Sequence, residues 1–456
     1  MVKNRSVNAV ITGLKSYALK LLFMLLMVHG ISGAVDRFPR PEFQNGYTQP
    51  QTTIPAGRAE ILYYVDVVVL FAALCLAAYL ALRKRSRTGL LLLTILSVLY
   101  FGFYRKGCVC AIGSIQNIAA AFFDHSFALP LTVILFFALP LLFALFFGRV
   151  FCSSVCPLGA LQELFILKPV KLPSAVEAPL KIIPHLFLGA AVLFAATGSG
   201  FLICRLDPFV GIFRLSSPSG MMLLTIGILV IALFVARPYC RFLCPYGVLL
   251  QWMSSLSKWN VKITNKPCIN CRLCESACPV NAIRVPTIGP AQERRTQSVH
   301  RIVLYTVFLP LFIITGAAGG WVGGNYFSAQ HPRVKLAQQI VKEENGSAVS
   351  TIESETFRAG SSAIAELIRD AATTRKSIRF GSLLFGAYAA AVIGLMLLGL
   401  STQKKTKEYF ADHGECISCG RCFRYCPENE GQSFPSSTMS GVKSAPPKSP
   451  AGGLEE

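Results

Sequence analysis

Cys268, Cys271, Cys274 and Cys278 precede Pro279, and the same spacing returns as Cys416, Cys419, Cys422 and Cys426 before Pro427. Thiolates so spaced wrap a cubane from one loop: three ligate one 4Fe-4S cluster, the fourth reaches a second, and the proline turns the chain away without an amide to satisfy. The chemistry would be one-electron transfer. A zinc knuckle is the competing use of clustered cysteines, but zinc sites take paired CxxC hooks across a spacer, often with histidine. If the two runs meet in space, Cys268, Cys271, Cys274 and Cys426 would hold one cluster and Cys416, Cys419, Cys422 and Cys278 the other. Val280-Asn281-Ala282-Ile283 gives the first run apolar cover, whereas Glu428-Asn429-Glu430 after the second predicts a more exposed site.

A second pattern is CxxxCP, present as Cys152 and Cys156 before Pro157 and as Cys240 and Cys244 before Pro245. Each copy continues into a glycine, an aliphatic residue and a glutamine; Cys110-Ala111-Ile112-Gly113-Ser114-Ile115-Gln116 is a third copy, preceded by Cys108. Four thiols from the CxxxCP pair at one membrane face could hold a further 4Fe-4S cluster; a pair of disulfides is disfavoured in a reducing cytoplasm, and free structural thiols are the plainer alternative. Cys108, Cys110 and Cys204 form a sparser set on the opposite face. CxC is too tight for an unstrained disulfide between its own members, which leaves a metal or iron-sulfur site, or a bridge from one of them to Cys204. Asp207 either completes such a site or, with Pro208, starts a turn.

The elements that must position these thiols are built for lipid. Hydrophobic residues make up 53% of the 456 and charged residues only 15%, a balance foreign to a soluble domain of this size. Apolar runs able to cross a hydrocarbon core of ~30 Å lie at about 17–35, 61–82, 88–104, 128–148, 182–203, 219–236, 302–320 and 380–400. The fold class expected is therefore an all-α polytopic membrane protein of about eight helices with small ferredoxin-like segments on the cytoplasmic side. The net charge of +21 does not indicate nucleic acid. Its basic residues sit beside alternate helix ends, such as Arg83, Lys84, Arg85 and Arg87, then Arg237 and Arg241, then Lys404, Lys405 and Lys407, without one patch of interleaved aromatics. That asymmetry places both termini in the cytoplasm by the positive-inside rule. Ser32-Gly33-Ala34 could end a cleavable signal peptide; the length of the apolar run favours an uncleaved helix, and either leaves residue 35 outside.

The organisation expected is an N-terminal helix and outer loop over 1–60 and a membrane core with the CxC and CxxxCP motifs over 61–260. A first ferredoxin segment follows over 261–301, then a membrane hairpin over 302–400 whose outer segment, 321–379, carries short amphipathic helices near 334–341 and 363–368. The second ferredoxin segment spans 401–430, and 431–456 reads as a disordered tail. Asp66, near one helix end, reads as a solvated interfacial carboxylate or an intramembrane functional group. His185 reads as an interfacial residue or a quinol proton acceptor. Cys75 reads as a small core side chain. The sequence holds no nucleophile with a positioned base and no phosphate-cradling loop.

Cys152-Ser153-Ser154-Val155-Cys156-Pro157-Leu158-Gly159, Cys240-Arg241-Phe242-Leu243-Cys244-Pro245-Tyr246-Gly247 and the two ferredoxin runs resemble the membrane-bound polyferredoxins of the NosR/NapH type. The Gly107-Cys108-Val109-Cys110 and Asp207-Pro208-Phe209 segments extend the resemblance to about residues 60–430. It implies electron transfer between the quinol pool, or a cytoplasmic donor, and a periplasmic redox partner across the bacterial inner membrane. NosR-type proteins carry an external flavin-binding domain ahead of their helices, whereas residues 35–60 alone precede the second helix here. A flavin would therefore belong to a separate partner, a flavoprotein, or be absent. The rival reading is a redox-sensing regulatory or maturation factor for an external metalloenzyme.

Overall fold

The computed structural model describes residues 58–107, 111–123, 128–167, 169–215, 219–263, 271–286, 293–359, 363–401 and 409–426. The first expected helix, most of the 1–60 segment, the 431–456 tail and three cysteines of the candidate sites, Cys108, Cys110 and Cys268, lie outside these residues.

The described chain is mostly helical. Five helices are long and apolar enough to cross a membrane: Ile61–Arg83, Arg87–Tyr104, Ala175–Ala196, Thr306–Ala329 and Ile364–Gly399. A sixth span results if the bent pair Pro208–Arg214 and Ser219–Ala232 counts as one crossing. The protein is thus a multi-pass membrane protein, with fewer full spans among the described residues than the eight expected. The run at 128–148 accounts for part of the difference. It forms a 17-residue helix, Leu131–Phe147, whose length of about 25 Å falls short of the hydrocarbon core.

In chain order, α1 (Ile61–Ala78) and α2 (Arg87–Ser97) each run on into a π-helical turn, and α3 (Ala111–Phe123) and α4 (Leu131–Phe147) follow. Ser86 caps α2 by accepting a hydrogen bond from Gly89 N, which meets one of the donors that a helix start leaves open. Two short motifs then share one design. In each, a CxxxC turn ends on a cysteine that serves as N-cap, with proline at the first helical position, opening α5 (Pro157–Phe165) and, further on, α12 (Pro245–Ser255). Proline suits that position because its missing N–H would be unpaired in any case. Between them lie α6 (Ser174–Leu180), α7 (Ile183–Ala196), α8 (Leu202–Leu206), α9 (Pro208–Arg214), α10 (Ser219–Ala232) and α11 (Pro238–Phe242). One buried cluster, including Leu74, Leu90, Phe143, Leu161, Phe209 and Tyr246, joins these helices.

Beyond the core, α13 (Leu273–Ala277) and β1 (Ile283–Arg284) carry the first ferredoxin run, and β2 (Phe410–Ala411) and α18 (Arg421–Tyr425) carry the second. The strands pair antiparallel, Ile283 with Ala411 and Arg284 with Phe410, and Asp412 N donates to Ala282 O at 2.8 Å. The chain between them is a helical hairpin: α14 (Glu293–Ala329), α15 (Pro332–Glu344), α16 (Ile352–Ala359) and α17 (Ile364–Ser401). The outer segment differs here from expectation. Only α15 matches a short helix; residues 321–329 continue α14, and 364–379 belong to α17.

What lets α14 and α17 run so far together is a stripe of glycines. A Cβ added to Gly316 would lie 2.5 Å from Ala390 Cβ and 2.6 Å from Gly386 O; one added to Gly324 would lie 3.0 Å from Arg379 Cα. Small residues four apart let two backbones touch, the usual basis of close helix pairing in a membrane.

Asp66 and Cys75 correct two readings. Asp66 is fully buried rather than solvated, ion-paired with Arg58 at 2.8 Å and Arg105 at 2.9 Å, and it accepts from Tyr100 Oη at 2.8 Å. Cys75 is exposed on α1 instead of packed in the core. Asp66→Asn removes the only charge that faces the two guanidinium groups in these ion pairs. It should lower stability by about 3–5 kcal/mol, read as a drop in thermal midpoint in detergent; an unchanged midpoint would refute the assignment.

Candidate metal centres

The two ferredoxin runs, far apart in sequence, are adjacent in space. Cys274 and Cys278 share a buried cluster with Cys416, Cys419 and Cys422. Burial pushes the Cys422 thiol well up, with Cys416, Cys419, Cys278 and Cys274 adding to it; burial likewise pushes Cys416 up to about 12 and raises Cys278, to which Cys419 adds. Cys278 therefore lies with the second run, as the exchange of fourth cysteines requires, and Ala282 N points at its sulfur at 3.3 Å. Cys426 is half-buried at the end of α18. In both runs the residue after the second cysteine is left-handed, Arg272 at φ 59° and Gly420 at φ 72°. Such a turn aims successive N–H groups into one concavity, a nest for an anion.

Val280, Ala282 and Ile283 bury the end of the first run as their apolar character predicts, and Glu428-Asn429-Glu430 lie outside the described residues. Cys271 is exposed, while Ile417 and Ser418 of the second run are 5% and 4% exposed. The second run docks on the membrane core, with Gly420 against Leu90 of α2, Arg87 donating to Cys419 O at 2.7 Å, and Arg149 to Gly414 O at 3.2 Å.

The CxxxCP pair also converges. Burial pushes Cys240 up to about 12, with Cys152 adding to it, and pushes Cys244 well up, with Cys240, Cys156 and Cys152 adding. The repeat has a geometric meaning. Gln162 Oε1 accepts from Tyr239 N at 3.0 Å, and its Nε2 donates to Cys240 Sγ at 3.3 Å. A Cβ on Gly159 would meet Cys152 O at 3.2 Å, Arg237 Nη1 at 3.5 Å and Cys240 Sγ at 3.5 Å; one on Gly247 would meet Cys240 O at 3.2 Å and Arg149 Nη2 at 3.6 Å. Each glycine thus admits its own cysteine turn and the arginine of the other copy. On the opposite side of the repeat, Gln116 Oε1 accepts from Ile203 N at 2.8 Å, so Gln116 stands to Cys204 as Gln162 stands to Cys240. Its buried Nε2 has no partner among the described residues. Cys204 is exposed. Asp207 acts as N-cap of α9, accepting from Phe209 N at 3.0 Å, and burial pushes it up to about 6.

Sequence reasoning missed the charged frame around these thiols. Glu163, with a fully buried side chain, is bound by Arg87, by Arg237 at 2.9 Å and by Arg421 at 2.8 Å. Burial alone would raise its carboxyl, but the charges of Arg237, Arg421 and Arg87 outweigh it and hold the group well below the usual carboxylate range. Arg237, left-handed at φ 50°, also donates to Cys152 O and, at 2.7 Å, to Ser153 O. The available signal was an arginine three residues before the first cysteine of every copy: Arg105, Arg149 and Arg237. Glu177 forms an outer clasp, pairing with Arg241 at 2.7 Å and Lys181 at 3.0 Å and accepting from Asn281 at 3.2 Å; Lys181 also reaches Glu415 at 2.8 Å. His185 stands apart, its Nδ1 2.9 Å from Lys181 O.

The donor set fits an anionic cluster. Among the described residues no three His, Cys, Asp or Glu side chains gather tightly enough for a single metal ion, and a cubane spreads its ligands more widely than an ion does. Arg87, Arg237 and Arg421 share one carboxylate, Glu163, leaving buried positive charge that an iron-sulfur-thiolate centre would balance.

A 4Fe-4S binding domain family model matches residues 129–173 and 218–264, the two CxxxCP segments, and a second 4Fe-4S binding domain model matches 261–284, the first ferredoxin run. The chain is 29% identical over 236 residues to the protein NirI of Paracoccus denitrificans, covering 49% of this chain and 34% of NirI. It is 29% identical over 150 residues to the putative electron transport protein YccM of Escherichia coli, covering 29% of this chain and 41% of YccM. With the regulatory protein NosR of Stutzerimonas stutzeri it shares 27% identity over 268 residues, 55% of this chain and 36% of NosR. The chain thus spans well under half the length of these relatives. No solved structure matches it. Membrane spans, converging cysteine motifs and these matches together support a place for the chain among the NosR-like membrane-bound 4Fe-4S proteins.

Proposed function

We propose that the protein is an iron-sulfur electron relay of the bacterial inner membrane, with both termini in the cytoplasm. It would pass electrons between a quinol or cytoplasmic donor and a periplasmic redox partner, a flavoprotein if flavin is involved. Cys268, Cys271, Cys274 and Cys426 hold one 4Fe-4S cluster, Cys416, Cys419, Cys422 and Cys278 a second, and Cys152, Cys156, Cys240 and Cys244 a third. When bound, these clusters supply one-electron carriers. The burial of the chain's own thiols suggests their order: Cys271 is exposed, Cys416, Cys419 and Cys422 are half-buried, and Cys152, Cys156 and Cys244 are buried in the membrane core.

The observation that carries this reading is a pair of shared arginines. Arg237 is raised against burial by Glu163 and also by Cys240 and Cys419, one cysteine from each neighbouring group. Arg149 likewise lies 4.0 Å from Cys152 Sγ while donating to Gly414 O beside Cys416. The two groups therefore share one electrostatic environment. Cys108, Cys110 and Cys204 would add an outer site, supported by the matching Gln116 geometry.

Iron and sulfide per chain, with low-temperature electron paramagnetic resonance on anaerobically purified protein, test the count. Cys419→Ser should remove one cluster and leave the CxxxCP signal; full iron in that variant would sink the assignment. The names of NosR relatives favour a second reading, a regulatory factor. Cluster bleaching by quinol or a low-potential donor within turnover times supports the relay, and slow, stoichiometric reduction supports the regulator.

A further inference from the structure

A cleft of about 750 Å³ with no cysteine in its lining opens on the helical hairpin between α14, α15 and α17. Its volume lies in the range of about 300–1,000 Å³ usual for small-molecule sites. Val334, Ala337, Val341, Ile368 and Ala371 give it an apolar wall. The charged residues lining it are Lys342, Arg375, Lys376 and Arg379, with no acid among the lining residues. None of these four forms an ion pair among the described residues, although neighbouring Glu343 pairs with Arg358 at 2.9 Å. Arg379 lays its guanidinium over the Trp321 ring at 4.3 Å, and its buried Nε has no hydrogen-bond partner.

We propose that this cleft binds an anionic phospholipid of the surrounding bilayer. The argument is charge complementarity. Unpaired guanidinium and ammonium groups at the rim of an apolar cleft match a phosphate head with hydrocarbon below it, and the unmatched Arg379 Nε supplies a donor already aimed and desolvated. Trp321 and Arg379 lie within the spans Thr306–Ala329 and Ile364–Gly399, so acyl chains entering the cleft stay continuous with lipid. A soluble anion would use the charges and waste the wall.

Native mass spectrometry of the full chain, after exchange into phosphatidylglycerol or phosphatidylcholine micelles, tests this. The parent should retain phosphatidylglycerol and not phosphatidylcholine, and excess inorganic phosphate should not displace it. R375Q/K376Q/R379Q should weaken retention on the order of 100-fold. Ala372→Trp, which keeps every charge and fills the cleft from an exposed position, should also abolish it, with an unchanged elution volume showing that the protein folds. Equal retention of the two lipids, displacement by phosphate, undiminished binding in A372W, or a cleft closed by a second copy of the chain would each overturn the proposal.

Discussion

Glu163→Ala should release the second ferredoxin run from the membrane core. The substitution leaves Arg87, Arg237 and Arg421 facing one another with no carboxylate between them, in a site whose glutamate side chain is fully buried. Removing one partner of a buried ion pair costs about 3–5 kcal/mol, and here one carboxylate serves three guanidinium groups. Limited proteolysis should then cut near residue 409 under conditions where the parent resists. Because Arg237 also holds the carbonyls of Cys152 and Ser153, iron bound at the CxxxCP thiols should fall together with iron bound at the second run. Loss confined to one of the two would contradict a shared frame. Glu163→Gln keeps the shape without the charge and should fall between parent and alanine variant. The parent itself should respond to acid. Its carboxyl is depressed in the folded state, so the contribution is complete at neutral pH and erodes only as pH falls below the unfolded range of about 4 and through the folded value. Tail release should follow that acid limb in the parent and be pH-independent in E163Q.

Gly320→Ala should part the long hairpin, while Gly319→Ala should leave it intact. A Cβ at Gly320 would overlap Ser382 O and lie 3.0 Å from Ser382 C and 3.2 Å from Gly386 Cα, whereas one at Gly319 meets nothing within 4 Å. Backbone cannot yield as a flexible side chain can, so one methyl group forces α14 and α17 apart at a cost of roughly 3 kcal/mol. Gly319→Ala removes a flexible residue from a helix and should be neutral or stabilising by about 1 kcal/mol. Cysteine cross-linking between Gly324 and Ser382 positions reads the separation directly. Equal cross-linking in the two alanine variants would show that the glycine stripe does not set the contact.

What could be read from the sequence was what is local. Each ferredoxin run encodes its own loop, and each CxxxCP copy encodes its own turn and proline-started helix, so their spacing sufficed. The same holds for α1 and α2, whose apolar runs match their spans closely. Glu163 was silent because its three partners come from positions 87, 237 and 421, and nothing about one glutamate in an amphipathic helix announces them. Asp66 was misjudged for the same reason: Arg58, Tyr100 and Arg105 become its neighbours only when α1 and α2 pack. The apolar cover of the first run, Val280 to Ile283, was legible because it is local, while the docking of the second run against α2 and α5 was not, because it is tertiary. At the hairpin, apolarity ends before helicity does, so the outer end of α17 was read as a separate short helix and not as part of one long one.

The meeting of the two runs has a consequence for how the molecule is made. Cys278 emerges from the ribosome early, yet the thiols it sits among, Cys416, Cys419 and Cys422, are translated only after both long helices have been threaded into the bilayer. The run that docks on the membrane core is thus translated after the run it packs against. On the proposed ligand sets, neither ferredoxin cluster is complete until the second run has been translated and has docked.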